Sequence, residues 1–406
     1  SYAEKDCYSC CYVDDGFVIS NGSGTTSGIN GKVTLEATGE DVIGATVQAV
    51  HVPSGTKYAA VTNAKGIYSI QGMRSGGPYT VTVSYIGAQT KEFENISLSL
   101  GESYNLKVWL ADDTKTLGEV VVSGQAGVNG TRNGAAQTIS NRMIQELPSI
   151  NHSVADIARV NPFVKVTEGG AINIAGSNNR YNAIQIDGAM SNDVFGLTSN
   201  GANGGQAGTQ PFSMETIDQL HVSIAPFDVR QSGFTGGAIN AITKSGTNEF
   251  HGSVYSYFQN GDMVSNKYEK HDGSESADYG DMTDWTLGAT LGGPIVKDKL
   301  FFFANFERSK KEYDNAFSTN NGMSKIDFGV ANQILDKVRT DAAAQGVTYR
   351  GTLGTPKEYT YSDKVGLKLD WNINDRNHAS LRWSFVDAKQ NNKTATATNL
   401  VTNDYA

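Results

Sequence analysis

The sequence predicts a mainly β chain in three parts: a small antiparallel β-sandwich, a mixed α/β domain and a run of amphipathic β-hairpins. Three observations carry this. Turn signals fall at roughly ten-residue intervals over residues 28–112, the spacing of short antiparallel strands. Across residues 138–248, helix-capping serines alternate with short strand-prone runs. Beyond residue 249, apolar and polar side chains alternate, as where Val365, Leu367, Leu369 and Trp371 oppose Gly366, Lys368 and Asp370.

Composition agrees. The 406 residues include 45 glycines but only 8 prolines, and the aromatics are mostly tyrosine (18) and phenylalanine (16), a mixture that suits strands and turns. The hydrophobic share of 38% looks soluble, yet transmembrane strands look alike because only alternate residues face lipid. No apolar run is long enough for a transmembrane helix. The net charge of −9, with no basic cluster, argues against a nucleic-acid partner. The six histidines are scattered, and Cys7, Cys10 and Cys11 have no second ligand pair, so neither a metal nor another cofactor is expected. Residues 1–27 are an atypical leader: Gly16–Ser20 is too short for a signal core and Lys5 stands alone, so this stretch is set aside from fold reasoning.

The first part reads as strands Gly31–Leu35, Thr46–Val50, Ala59–Thr62, Gly66–Ile70, Tyr79–Tyr85, Lys91–Ser99 and Tyr104–Leu110. Gly66 fits a turn that needs positive φ, and Tyr68 and Ile70 then point into the core. The words GINGKV, IGATVQAVHVPSGTKYAAVTNAKGIYSIQGM and YTVTVSYIGAQT are similar to the carboxypeptidase regulatory-like (transthyretin-like) domain. An Ig-like binding module with another partner is the alternative. No nucleophile–base set or zinc cluster is present, so the chain does not read as an enzyme.

A linker, residues 113–137, contains Leu117, Gly118, Glu119, Val120, Val121 and Val122. Such a segment can add a strand to a partner's sheet edge through main-chain hydrogen bonds, or it can be an ordinary strand. In the second part, Ser140 is the expected N-cap of helix Asn141–Glu146 and Ser153 that of Val154–Val160. Strands Ala171–Ala175 and Asn182–Ile186 follow, then a short helix around Met214–Leu220 and a strand Ala238–Thr243. Residues 191–210 are rich in Gly and Asn without periodicity, either a loop facing a cavity or a disordered insertion. In the third part, Phe250, Gly252 and Val254 take one face and His251, Ser253 and Tyr255 the other. Strands Trp285–Ile295, Lys299–Ser309, Tyr359–Trp371 and Ala379–Val386 follow, interrupted by a helix over Asp327–Ala344 with Val330, Ile334, Leu335 and Val338 on one face.

The ordered words ELPSI, DIARVNP, INIAGSNNRYNAIQIDGA and METIDQLHVSIAPFDVRQSGFTGGAINAITKSGTNEFHG resemble the plug of TonB-dependent outer-membrane receptors, ending where the plug meets its barrel. Over about residues 28–388 the chain resembles the Oar-like, Bacteroidetes-type receptors that carry a regulatory-like domain ahead of the plug. The resemblance implies a plug at residues 138–248 and, from 249 to 406, the first strands of a 22-stranded transmembrane β-barrel, incomplete here. It implies energised uptake of an unidentified small or oligomeric ligand, carbohydrate among the candidates, across the cell outer membrane. TonB would contact Leu117–Val122, with the regulatory-like domain and plug on the periplasmic side. Outer-membrane lipid is a further expected partner, and a surface lipoprotein is left open. Arg180, Asp187, Asp228 and Arg230 are candidates for anchoring the plug to the barrel wall. A surface adhesin or carbohydrate-binding protein built of β-sandwiches is the rival; it requires further sandwiches after residue 250 and no α/β domain.

Overall fold

The computed structural model describes residues 26–101, 103–111, 120–123, 136–147, 149, 152–167, 171–193, 198, 202, 205–224, 235–263, 282–314, 327–349, 351, 357–374 and 377–391. Asp228, Arg230 and Leu117–Glu119 therefore lie outside the described residues.

The first part comprises β1 (Thr26–Leu35), β2 (Thr46–His51), β3 (Thr56–Val61), β4 (Ile67–Arg74), β5 (Gly76–Ser84), β6 (Lys91–Leu98), β7 (Ser103–Asn105) and β8 (Val108–Leu110). One sheet pairs β1 antiparallel with β4 and parallel with β7 and β8. The other runs in the order β3-β2-β5-β6. Alternate residues of both, among them Ile29, Val33, Tyr68, Val81, Ile96 and Leu110, fill one core between them. Gly66 has φ +69°, as its turn requires. The single strand expected over Tyr104–Leu110 is two. Leu106 breaks it by donating its N–H to the Asn30 carbonyl at 2.8 Å and accepting the Tyr68 hydroxyl at 2.8 Å.

A short linker strand, β9 (Val120–Ser123), extends the second sheet by pairing parallel with β6, Lys91 opposite Val120 and Glu94 opposite Ser123.

The second part holds β10 (Ala136–Ser140), α1 (Asn141–Glu146), α2 (Val154–Ala158), β11 (Val164–Val166), β12 (Ile172–Ile174), β13 (Ala183–Ile186), β14 (Ala189–Met190), β15 (Ile217–Ser223) and β16 (Ala238–Thr243). Its main sheet runs β10-β15-β16-β13-β14, with α1 and α2 in its core cluster. The Ser153 hydroxyl caps α2 by accepting the Asp156 N–H at 3.1 Å. Ser140 makes no side-chain cap. Instead Asn141 Nδ2 donates to the Ile217 carbonyl at 2.7 Å and ties the helix start to the sheet. The helix expected at Met214–Leu220 is a single 3₁₀ turn, Met214–Thr216, followed by β15. Tertiary pairing overrode local propensity: β15 lies between β10 and β16, with Ile217, Leu220 and Val222 fully buried.

The third part is a sheet of consecutive antiparallel strands: β17 (His251–Asn260), β18 (Met282–Val296), β19 (Leu300–Asp314), β20 (Lys357–Asn374) and β21 (Asn377–Asn391). The connections β18–β19 and β20–β21 are short and lie at one end, while β17–β18 and β19–β20 are joined by long segments at the other. The second long connection contains α3 (Phe328–Ala344), capped by Asp327 Oδ1, which accepts the Gly329 N–H at 2.8 Å. Of its expected apolar face only Leu335 is buried; Val330, Ile334 and Val338 are exposed. The sheet alternates except at the start of β19, where Phe301 and Phe303 turn inward and are buried. Val254, Ala289, Phe306, Val365 and Phe385 form one row across all five strands, and Ala304, Leu367 and Trp383 continue the outer face below it. The next inward row is Tyr255, Gly288, Glu307, Lys364 and Val386. Val254 is 81% exposed and Leu367 40%, whereas Lys368 is 8% and Asp370 4%. The apolar face thus looks away from the protein and the charged face looks towards it.

Candidate functional site

The inward charges of the hairpin sheet meet the middle domain, and two polar clusters join the two. The first is built on the turn after β13. Asp187 takes φ +48°, a left-handed conformation that a short polar side chain tolerates. From there its carboxylate reaches the end of β16: Oδ1 accepts the Thr243 N–H at 2.9 Å and Oδ2 accepts the Thr243 hydroxyl at 2.6 Å. Two cations of the hairpin sheet complete the site. Lys368 Nζ stands 3.4 Å from Asp187 Oδ1 and donates to the Thr243 carbonyl at 3.0 Å. Arg382 Nη1 lies 3.7 Å from Asp187 Oδ2 and donates to the Ile186 carbonyl at 3.2 Å. All three charged side chains are largely buried, so their pairing is screened far less than a surface bridge.

The second cluster lies further along the sheet. Glu307 and Lys364 are cross-strand neighbours, and Lys364 Nζ donates to Glu307 Oε1 at 2.8 Å. Tyr255 donates its hydroxyl to Glu307 Oε2 at 2.8 Å and shares a 2.7 Å hydrogen bond with Ser213 of the middle domain. Beside it, the Tyr257 hydroxyl donates to Glu215 Oε1 at 2.8 Å, and the Tyr257 ring stacks on His152 with centroids 3.9 Å apart. Thr209 donates to the Ser362 hydroxyl at 3.1 Å. These contacts are charged and hydrogen-bonded rather than apolar, a join that can be remade without exposing a hydrophobic core. Asp218 lines the space beside the first cluster; burial pushes its carboxyl above the usual carboxylate range, with Lys368, Lys244 and Arg74 acting the other way.

Of the four residues singled out for anchoring, Asp187 lies in the first cluster. Arg180 is in an exposed 3₁₀ turn, Asn179–Tyr181, whose N-cap Asn178 accepts the Arg180 N–H at 3.1 Å. Sequence reasoning missed Lys368 and Arg382 as partners of Asp187, and it missed the Glu307–Lys364–Tyr255–Ser213 chain. The available signal was the inward parity of Glu307, Lys364 and Lys368: a charge on the inner face of an amphipathic strand needs a partner. Among the described residues no cluster of His, Cys, Asp or Glu is arranged to hold a metal.

Residues 28–111 match the family model of the carboxypeptidase regulatory-like domain, and residues 242–352 match that of an outer membrane beta barrel domain. Over 275 residues the chain is 28% identical to the TonB-dependent transporter Oar of Myxococcus xanthus, covering 64% of this chain and 24% of that protein. The chain is a homologue of that transporter. It is also 26% identical over 190 residues to the "probable TonB-dependent siderophore receptor PirA" of Acinetobacter baumannii, covering 43% of this chain and 23% of the receptor. The chain spans about a quarter of the length of the curated relatives it matches. Among solved structures, the outer membrane transporter YddB of Escherichia coli shares 18% identity at a TM-score of 0.46, over 65% of this chain and 34% of that one. The two curated relatives are a transporter and a receptor, not enzymes, and with the barrel-domain match they place this mainly β chain in the outer membrane.

Proposed function

We propose that the chain serves energised, TonB-dependent transport across the outer membrane. In this reading β17–β21 are wall strands of a barrel of about 22 strands, the middle domain is the plug within it, and the sandwich lies on the periplasmic side. One observation carries the reading: a sheet whose apolar rows face outward turns its charged rows onto a separate α/β domain held by polar contacts. A soluble sandwich has no reason to expose such rows, whereas a lipid-facing wall requires them. The short connections then mark the periplasmic rim and the long ones the outer surface.

Asp187 is the plug's anchor, with Lys368 and Arg382 as its seats on the wall. Leu117–Gly124 is the segment with which TonB pairs by strand addition, drawing on the inner-membrane proton gradient. The adhesin alternative is disfavoured, because the described residues between 138 and 246 pack α1, α2 and a β-sheet around one core, and β16 is followed by the amphipathic hairpins. Cargo is imported through the path that plug movement opens, and its chemistry is set by loops at the outer end.

The test is deletion of Leu117–Gly124 in the full-length protein, followed by binding of purified periplasmic domain of TonB. Binding should be lost while the folded protein remains in the outer membrane. Undiminished binding would refute the coupling assignment.

A further inference from the structure

The sandwich is not a free appendage: it grips both other parts at once. On the wall, Arg74 Nη2 lies 3.5 Å from Asp370 Oδ1, and Asn372 Nδ2 donates to the Thr56 hydroxyl at 2.9 Å. The Tyr58 and His378 rings meet at 5.4 Å. At the β16–β17 junction, the Asn248 N–H donates to the Pro53 carbonyl at 2.8 Å. On the middle domain, Gln219 of β15 bridges to the sandwich through both side-chain atoms: Oε1 accepts the Leu100 N–H at 3.2 Å and Nε2 donates to the Leu98 carbonyl at 3.4 Å. The polar chain is continuous. His51 Nδ1 is bonded to Ser54 at 2.6 Å, Ser54 to Thr56 at 2.8 Å, Thr56 to Asn372, and Asn372 Oδ1 to His378 Nδ1 at 3.1 Å.

These contacts surround a cavity of about 420 Å³ where all three parts meet, lined by Arg74, Asp187, Asp218, Thr243, Lys368 and Asp370. Lys368 and Asp370 lie on the same inner face of β20, so the seat of Asp187 and the partner of Arg74 share one short stretch of wall.

We infer that the sandwich is a latch on the middle domain. Docked, it bridges middle domain and wall through Gln219 and the Arg74–Asp370 pair, and it shields the Asp187–Lys368–Arg382 cluster from bulk water. Undocking loosens the middle domain in two ways. The Gln219 bridges are lost, and the ion pairs of Asp187 fall into high dielectric, where such pairs contribute little. The strand β9, stitched to the sandwich edge through β6, lies in the linker between latch and middle domain, so tension on that linker acts on the latch first. The inference rests on the reading of the middle domain as a plug, but its test needs neither TonB nor cargo.

The experiment uses full-length protein with Cys7, Cys10 and Cys11 replaced by serine. The pair Thr56→Cys with Asn372→Cys should crosslink on mild oxidation. Asp370→Asn, which leaves every residue of the sandwich in place, should slow that crosslink and speed amide exchange of β13, β15 and β16, each by about tenfold, with sandwich exchange unchanged. Once the crosslink has been formed by prolonged oxidation, exchange in the Asp370→Asn background should return to the parent level. Failure of the parent pair to crosslink overturns the docking. Slower crosslinking with no change in middle-domain exchange overturns the latch. A failure of the TonB assignment shows up separately, in the deletion of Leu117–Gly124.

Discussion

Asp187 shows how much one residue can be asked to do. The turn after β13 holds a left-handed residue, and the same residue carries a negative charge to two cations of the hairpin sheet. Asparagine satisfies the backbone and the Thr243 contacts but not the charge, so Asp187→Asn isolates the electrostatic part. Leaving Lys368 and Arg382 partly buried without a counter-charge should cost about 3 kcal/mol. The expected outcome is a lower urea midpoint for the middle domain and faster exchange in β16, with the sandwich unaffected. Gly246, in the turn that follows β16, is constrained by space rather than by charge. A Cβ there would run into the carbonyls of Phe302 and Gly293, so only glycine lets the junction lie flat on the hairpin sheet.

At the scale of the element, the hairpin strands do two jobs by parity alone. In β20, Val365, Leu367 and Trp371 face outward while Lys364, Lys368 and Asp370 face inward, and a one-residue slip would exchange the sets. The long register of β19 on β20, from Leu300–Trp371 to Asp314–Lys357, opposes such a slip. Leu367→Arg should therefore destabilise the sheet by about 2–4 kcal/mol in a bilayer, the cost of a cation on a lipid face. Folding into lipid vesicles, monitored by heat modifiability on gels, measures this. If the variant folds in vesicles as readily as the parent, the outward face is not a lipid face. β15 makes the complementary point: Gln219 and His221 are buried because neighbours on both sides supply partners.

At the scale of the whole molecule, the sandwich and the middle domain each enclose a neutral imidazole. Burial pushes the His51 imidazole down to about 3, with Arg74 adding to the shift, and burial lowers His221 to about 4. In the unfolded chain both titrate near pH 6.5. Below that pH the unfolded state takes up protons that the folded state refuses, so stability is intact above about pH 6.5 and falls steadily as pH drops towards 4. The loss is about 1.4 kcal/mol for each pKa unit separating the two states. His221→Gln should flatten the acid limb for the middle domain and His51→Gln that for the sandwich, read from thermal midpoints between pH 7 and pH 4.5. A parent midpoint that does not move over this range would contradict both burial arguments.

Much of this was legible before any fold was in hand. Turn spacing marked the sandwich, the Gly66 turn its positive φ, and alternation the hairpins apart from the inward Phe301 and Phe303. These features are local: they depend on spacing, parity and φ, which neighbours in sequence determine. The partners were not legible. Lys368 and Arg382 are 181 and 195 positions from Asp187, and Asn372 is 316 from Thr56, so only tertiary packing brings them together. β15 was misread as helix because its burial on both sides comes from β10 and β16, one far upstream and the other beyond a long connection. Local sequence thus carried the sandwich, the hairpins and the parity of most hairpin side chains. Long-range packing alone determined which charges meet across those faces and that the sandwich is docked on both, because an ion pair's strength depends on distance and burial, which no window of sequence contains.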